Sequence, residues 1–158
     1  MVAAPAHAWR VDVEPGLRVA GDEELLRRAV DNLITNVGVH TQEGTTAVVS
    51  ASGCADRVVI EVSDDGPGVP EGQLPYIFER FYRAGAVAGP GAVAGSGSVT
   101  RPGAGLGLAI VSEIAVAHGG RALATPNEPA GLRVTLDLPR LADQELRENP
   151  ERTLMSSG

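Results

Sequence analysis

Residues 103–120, GAGLGLAIVSEIAVAHGG, place three glycines at alternate positions directly before an apolar run of helical length. Glycine weakens a helix interior, so such a cluster is typical of a backbone that bends sharply or approaches a ligand closely. The N-terminus of the helix that follows presents unpaired N–H groups and a partial positive charge, which suit phosphate. The stretch therefore predicts a helix that ends near His118, preceded either by a phosphate-binding turn or by an ordinary glycine-rich turn.

The composition of the 158-residue chain restricts the classes of protein to which it can belong. Its length suits one domain with a real core, and its 43% hydrophobic and 21% charged content is ordinary for a globular protein. The net charge of −7 argues against a nucleic-acid partner, and neither the single cysteine nor the three histidines suggest a disulfide or a zinc site. No apolar run approaches the roughly 18 residues of a membrane span, so we expect a cytoplasmic chain without membrane contact.

The chain has no lysine, and all 13 of its basic residues are arginine. A P-loop requires Gly-Lys-Ser/Thr and a eukaryotic-type protein kinase needs a strand lysine, so both kinds of nucleotide site are excluded. The dinucleotide fingerprint fails as well, because the glycines run G-x-G-x-G and follow a loop rather than a strand. Any nucleotide site in this chain therefore belongs to another class.

Hydrophobic periodicity predicts an α+β fold with helices packed on one face of a sheet. Asp22 is a good N-cap for a first helix that reaches Val37, a short helix is predicted over residues 74–82, and the last helix ends near His118. Strands are predicted at residues 9–13, 17–20, 46–51, 57–63, 121–125 and 132–138.

Two segments lack the composition of a packed core. Residues 84–103 contain six glycines, two prolines and one charge, so we expect a mobile loop there. Residues 140–158 resemble a polar tail. The sequence therefore predicts one domain over residues 1–139.

Two asparagines lie one turn apart on the first predicted helix. Asn36 falls within the apolar arc of that helix, and Asn32 lies at its edge. A buried amide without partners costs about 1–3 kcal/mol, so amides bonded to the backbone would explain both residues. The same positions also suit side-chain oxygens that face Mg²⁺ and phosphate.

The segment VIEVSDDGPGVP, residues 59–70, ends a predicted strand in a turn. An ordinary loop turn explains an Asp-Gly pair. The alternative is a carboxylate fixed at the strand end, with Gly66 and Gly68 allowing a flat ligand to approach the backbone. Ionised Asp64 accepts hydrogen bonds, which suits an exocyclic amino group such as that of adenine.

The motif FERFYR, residues 78–83, combines three aromatic side chains with two arginines. Core packing explains at least one of the aromatic residues. An arginine directly ahead of the glycine-rich loop also suits pairing with phosphate.

In their order along the chain, these motifs resemble the ATP-binding domain of bacterial sensor histidine kinases, part of the GHKL or Bergerat-fold superfamily. The motifs are DNLITN, DDGPG, FERFYR, the glycine-rich loop and GAGLGL, and the likeness covers residues 11–139. The resemblance implies a two-layer α/β sandwich in which a mixed, mostly antiparallel sheet is backed by about three helices. It also implies that residues 84–103 form a lid over ATP.

The resemblance implies a role for individual residues. Asn36 would ligate Mg²⁺, while Asn32 and Arg83 would lie near the phosphates as catalytic residues. Asp64 would accept from the adenine amino group. The other implied ATP-binding residues shape the base pocket, anchor the hinge of the lid or close it over the triphosphate: Gly66, Gly68, Phe78, Phe81, Tyr82, Gly103, Gly105, Leu106, Gly107 and Leu108.

The implied activity is transfer of the γ-phosphoryl group of Mg-ATP to a histidine on a separate dimerisation domain. The implied parent is an inner-membrane sensor that signals to a response regulator, with this chain as its cytoplasmic catalytic fragment. The chain departs from the family pattern twice. Val39 replaces a lysine expected near the phosphates, and no histidine lies in a His-Glu-x-x-x-Thr/Ser-Pro setting.

Two alternatives share the same nucleotide fold. ATPases of the gyrase and mismatch-repair type usually carry a glutamate one turn before the metal asparagine, where it activates water. Here that position is Asn32, which has no useful basicity and favours transfer over hydrolysis. The second alternative is a non-catalytic nucleotide-binding regulator, which Val39 favours.

Overall fold

The computed structural model describes residues 7–80 and 107–141. Within these ranges five strands form one sheet in the order β1-β2-β3-β5-β4, antiparallel at every step except the parallel β1–β2 pair. The predicted α+β fold with a mixed, mostly antiparallel sheet is therefore confirmed. The elements in chain order are β1 (Ala8–Val13), α1 (Glu23–His40), β2 (Thr46–Cys54), β3 (Arg57–Asp64), a 3₁₀ helix (Glu71–Tyr76), α2 (Gly107–Ala117), β4 (Arg121–Pro126) and β5 (Leu132–Pro139).

Helix α1 begins and ends at residues that satisfy its terminal backbone groups. The carboxylate of the N-cap Asp22 accepts from the Leu25 N–H at 3.1 Å. At the other end the backbone N–H of Thr41 donates to the Val37 carbonyl at 3.1 Å. The buried side chains of the helix recur every four residues, which directs one stripe at the sheet: Ala29, Leu33 and Val37.

Helices α1 and α2 pack side by side and run in opposite directions. Near the start of α2, Asn32 Nδ2 donates to the Gly107 carbonyl at 3.3 Å. Just beyond its end, His118 Nε2 accepts from the Asp22 backbone N–H at 3.1 Å, while His118 Nδ1 bonds the Ile114 carbonyl at 2.7 Å. Because Nε2 accepts and Nδ1 donates, this arrangement requires a neutral imidazole. Polar contacts therefore join the helix pair near both ends of α2.

The core lies between the two helices and one face of the sheet. Strand β5 alternates strictly, with Leu132, Val134, Leu136 and Leu138 buried against the helices. Burying one such side chain contributes about 1.5–3 kcal/mol, so this strand anchors the sheet to the helical layer.

On the opposite face of the sheet, Asp137 pairs with arginines from both neighbouring strands. Arg57 Nε lies 2.7 Å and Arg121 Nε 3.3 Å from its carboxylate oxygens. The hydrogen bond from Arg57 is the main reason that the pKa of Asp137 lies below its ordinary 3.8. This network ties together β3, β5 and β4.

Two predicted elements differ from the structure. The strand predicted at residues 17–20 was wrong, because the segment forms only a single β-bridge between Val19 and Arg140. The helix predicted over residues 74–82 is a 3₁₀ helix over Glu71–Tyr76 that contains Pro75. Proline lacks the N–H that an α-helix needs, which limits the segment to this shorter form.

The predicted lid, residues 84–103, and most of the predicted tail, residues 142–158, lie outside the described residues. The first tail residues continue the fold, since the Leu141 N–H donates to the Arg18 carbonyl at 2.9 Å. Among the described helices, none is both long and apolar enough to cross a membrane.

Candidate nucleotide-binding site

A cleft lies beside the end of β3, between α1 and β5. It holds about 180 Å³ of empty space, part of it open to solvent. That space includes open solvent and lies below the about 300–1,000 Å³ of common ligand pockets, so the described residues do not by themselves enclose a nucleotide-sized pocket. The lining is apolar except for one amide and one carboxyl group: Leu33, Asn36, Val37, Val62, Asp64, Leu132 and Val134.

Asp64 is the carboxyl group of this cleft, and only 6% of the residue is exposed. Its Oδ1 accepts from the Gly66 N–H at 2.9 Å, and the Leu132 N–H also donates to the carboxyl group. Burial raises the pKa of Asp64 above its ordinary 3.8, and these two backbone hydrogen bonds oppose that rise. A carboxylate has about four acceptor sites, so Asp64 keeps capacity for a donor from a ligand.

Asp65, the next residue, has a different role. Its exposed side chain accepts from the Thr46 N–H at 2.7 Å, and its own N–H donates to the Thr46 carbonyl at 3.1 Å. The side chains of Asp64 and Asp65 differ in direction because successive side chains along a strand point to opposite faces of the sheet. Asp65 closes the end of the sheet, and Asp64 faces the cleft.

Two asparagines of α1 also differ in their contacts. Asn36 lines the cleft, and its side chain has no hydrogen-bond partner within residues 7–80 and 107–141. The amide nitrogen of Asn32 instead donates to Gly107, as described above. The hydrogen bond to Gly107 therefore gives Asn32 a structural role, whereas the half-buried Asn36 side chain has no such bond within the described residues.

The predicted glycines of the turn after β3 lie at close approaches within the chain. A Cβ on Gly66 would lie 2.8 Å from the Thr41 methyl carbon. Gly68 has a φ of +69°, and a Cβ there would lie 2.8 Å from the Gly131 carbonyl oxygen. Both positions require glycine for packing of the turn itself.

The turn between β4 and β5 contacts the backbone carbonyl of Asp64. The sequence did not predict this contact. Asn127 Nδ2 donates to the Asp64 carbonyl at 2.8 Å, while Asn127 Oδ1 accepts from Arg133 at 3.0 Å. Gly131 has a φ of +107°, and a Cβ there would lie 1.8 Å from the Asp64 carbonyl oxygen. An asparagine and a glycine between two strands signal a turn, yet nothing local indicates that the turn contacts Asp64.

Three other predicted site residues lie within the described ranges. Phe78 and Leu108 pack against the core, and Gly107 begins α2. Arg80, the other arginine of the FERFYR motif, forms an exposed ion pair with Glu113 of α2. The remaining predicted residues lie outside the described ranges: Phe81, Tyr82, Arg83, Gly103, Gly105 and Leu106.

Residues 21–142 match the family described as histidine kinase-, DNA gyrase B-, and HSP90-like ATPase. The probable sensor histidine kinase TcrY of Mycobacterium tuberculosis is 35% identical over 150 residues, which cover 94% of this chain and 30% of TcrY. The chain therefore spans about a third of the length of that relative.

Solved structures give the same assignment. The mycobacterial sensor histidine kinase MprB has a TM-score of 0.71 at 28% identity, with 85% of this chain and 84% of that chain covered. The ATP-binding domain of PrrB from Mycobacterium tuberculosis has a TM-score of 0.65 at 31% identity, covering 87% of this chain and 83% of that domain. The chain thus belongs to the histidine kinase-, DNA gyrase B- and HSP90-like ATPase family, as an ATP-binding domain of the sensor histidine kinase type.

Proposed function

We propose that this chain binds Mg-ATP in the cleft and donates the γ-phosphoryl group to a histidine on a separate dimerisation domain. One observation carries the proposal. The buried carboxyl group of Asp64 lines the same small cleft as the Asn36 amide, which has no hydrogen-bond partner in the described part of the chain. The chain would then be the cytoplasmic part of an inner-membrane sensor, with a response regulator as the downstream partner.

Each polar group of the cleft has a separate task in this proposal. Asp64 accepts a hydrogen bond from the adenine amino group, and its two backbone donors orient the carboxylate. Asn36 offers an amide oxygen to Mg²⁺, which prefers oxygen ligands and commonly keeps water and substrate phosphates in its shell. The described residues contain no group of three or more His, Cys, Asp and Glu that could hold a metal, so a nucleotide-borne Mg²⁺ suits this chain better than a resident ion.

The described lining of the cleft offers no general base for water, which favours transfer over hydrolysis. Of the seven residues that line the cleft, Asp64 alone can titrate, and it faces the base. Asn32 lies where a hydrolase of this superfamily usually carries glutamate, and an amide does not activate water. ATP bound here supplies the phosphoryl group, and the chain binds it without promoting attack by water.

The test supplies the chain with γ-labelled ATP, Mg²⁺ and a separately purified dimerisation domain from a sensor histidine kinase. We expect label on the supplied domain, none on this chain and slow phosphate release. The controls are EDTA, which removes Mg²⁺, and a dimerisation domain whose acceptor histidine is replaced. Rapid multiple-turnover phosphate release would instead support the ATPase, and nucleotide binding without any transfer would support the regulator.

Replacing Val39 by lysine is expected to tighten ATP binding about threefold to tenfold. Val39 lies three positions after Asn36 on the same helix, and 39% of the residue is exposed. A lysine there brings a positive charge within reach of a phosphate, and the gain should shrink as ionic strength rises. Calorimetry compares ATP with adenosine, and Val116→Lys on α2 adds the same charge elsewhere. An unchanged ATP affinity for Val39→Lys would contradict this placement.

A further inference from the structure

His7 is a half-buried polar residue with one buried ring nitrogen, and the proposed mechanism assigns it no role. It precedes β1, and because β1 runs parallel to β2, it lies at the same end of the sheet as Asp64. Its Nε2 lies 2.7 Å from the hydroxyl oxygen of Thr41, and its Nδ1 is buried without a hydrogen-bond partner within the described chain. An unpartnered buried acceptor is destabilising, so the orientation of this ring calls for an explanation.

The hydrogen bonds of Thr41 determine where the proton of His7 lies. A threonine hydroxyl has one proton, and that of Thr41 is donated to the Val37 carbonyl at 2.6 Å. Thr41 Oγ1 must therefore accept from His7, which places a proton on Nε2. In the neutral ring Nδ1 is then an acceptor without a partner. His7 thus donates to Thr41, and its Nδ1 is unsatisfied by any of the residues that the structure describes.

Thr41 connects His7 to the base site. The methyl carbon of Thr41 lies so close to Gly66 that a Cβ on this glycine would stand only 2.8 Å from it. The Gly66 N–H donates to Asp64 Oδ1 at 2.9 Å. A continuous set of contacts therefore runs from His7 through Thr41 and Gly66 to Asp64.

We propose that His7 is a positioning residue for base recognition. By donating to Thr41 it holds the threonine methyl group against Gly66, and Gly66 in turn aligns the carboxylate of Asp64 with an adenine amino group. The proposal rests on the proposed ATP site and adds a specificity determinant to it. Guanine carries an oxygen where adenine carries the amino group, so correct alignment of Asp64 favours ATP over GTP.

The test measures the affinities of Mg-ATP and Mg-GTP by calorimetry for the full chain and its variants. His7→Leu removes the donor and is expected to weaken ATP binding about threefold to tenfold, with less than a twofold change for GTP. His7→Gln keeps a side-chain N–H and should retain most of the selectivity. Thr41→Val keeps the shape of the side chain and removes the hydroxyl, so it should lower selectivity as His7→Leu does.

A double-mutant cycle shows whether His7 acts through Thr41. In the Thr41→Val background, His7→Leu should cause no further loss of ATP affinity. Equal weakening of ATP and GTP, an unchanged ATP affinity for His7→Leu, or full additivity with Thr41→Val would each overturn the proposal. A wild-type chain that binds no ATP would overturn the proposed function itself. Thermal melting identifies any variant that fails to fold, and Thr41→Val then tests the same contact from its other partner.

Discussion

Gly131→Ala is expected to lower the free energy of unfolding by about 3 kcal/mol or more and to abolish ATP binding. The φ of +107° at this position is one that residues with a Cβ rarely adopt. The added Cβ would also lie 1.8 Å from the carbonyl oxygen and 2.6 Å from the carbonyl carbon of Asp64. Both are backbone atoms of a central strand, so the clash can be relieved only by moving β3 or the β4–β5 turn. Urea denaturation and ATP titration measure the two effects.

Gly44→Ala is the matched control for this prediction. Gly44 also has a positive φ, +87°, but a Cβ there would have no atom within 4 Å. Gly44→Ala should therefore lower the free energy of unfolding only by the backbone strain, on the order of 1 kcal/mol. It should leave ATP affinity unchanged. If Gly131→Ala were no more destabilising than Gly44→Ala, the close approach between the β4–β5 turn and Asp64 would be incorrect.

Asp64→Asn is expected to weaken ATP binding more than tenfold, equivalent to about 1.5–3 kcal/mol. The substitution replaces a charged acceptor by an amide that can turn a donor toward the adenine amino group. Titration with a fluorescent ATP analogue measures the change. Asp65→Asn removes a neighbouring charge outside the cleft and should alter affinity less than twofold. Equal affinities for Asp64→Asn and the wild type would remove Asp64 from the base site.

The stability of the fold is expected to fall as pH rises through the titration of Asp64, which urea denaturation at several pH values measures. Because burial raises the pKa of Asp64 above 3.8, the folded state holds its proton more tightly than the unfolded state. Ionisation therefore reduces stability as pH rises through the interval between these two pKa values, and the penalty persists at higher pH. Asp64→Asn removes this pH dependence, and an unchanged pH dependence in the variant would assign the effect to another group.

Local patterns predicted the parts of the fold that local physics determines. The apolar spacing along α1 and the capping side chain of Asp22 located that helix, and the alternation from Leu132 to Leu138 located β5. The segment at 17–20 has the residue types of a strand, but β1 pairs with β2 across the sheet and leaves it only one bridge. Strand pairing between distant segments is not encoded in the composition of either segment.

Some residues of the candidate site were likewise predicted from local motifs, whereas others were not. Motif order predicted Asp64 and Asn36, and the structure places both in one cleft. Asn127 and His7 were missed because each acts through a contact with a residue far along the chain, Asn127 with Asp64 and His7 with Thr41. An isolated polar residue carries no local sign of such a partner.

The cleft lies where two hairpins of the sheet meet. The β2–β3 and β4–β5 hairpins each close through a short turn, whereas β3 and β5 pair residues as distant in sequence as Arg57 and Pro139. Loop-closure entropy opposes this long-range pairing during folding. Under the proposed function, a base bound between Asp64 and Leu132 would contact both hairpins, and a ligand at 100 times its Kd adds about 2.7 kcal/mol to the free energy of unfolding. Bound nucleotide would therefore stabilise the pairing of β3 with β5. We expect these two strands to separate more readily in the nucleotide-free chain than in the nucleotide-bound chain.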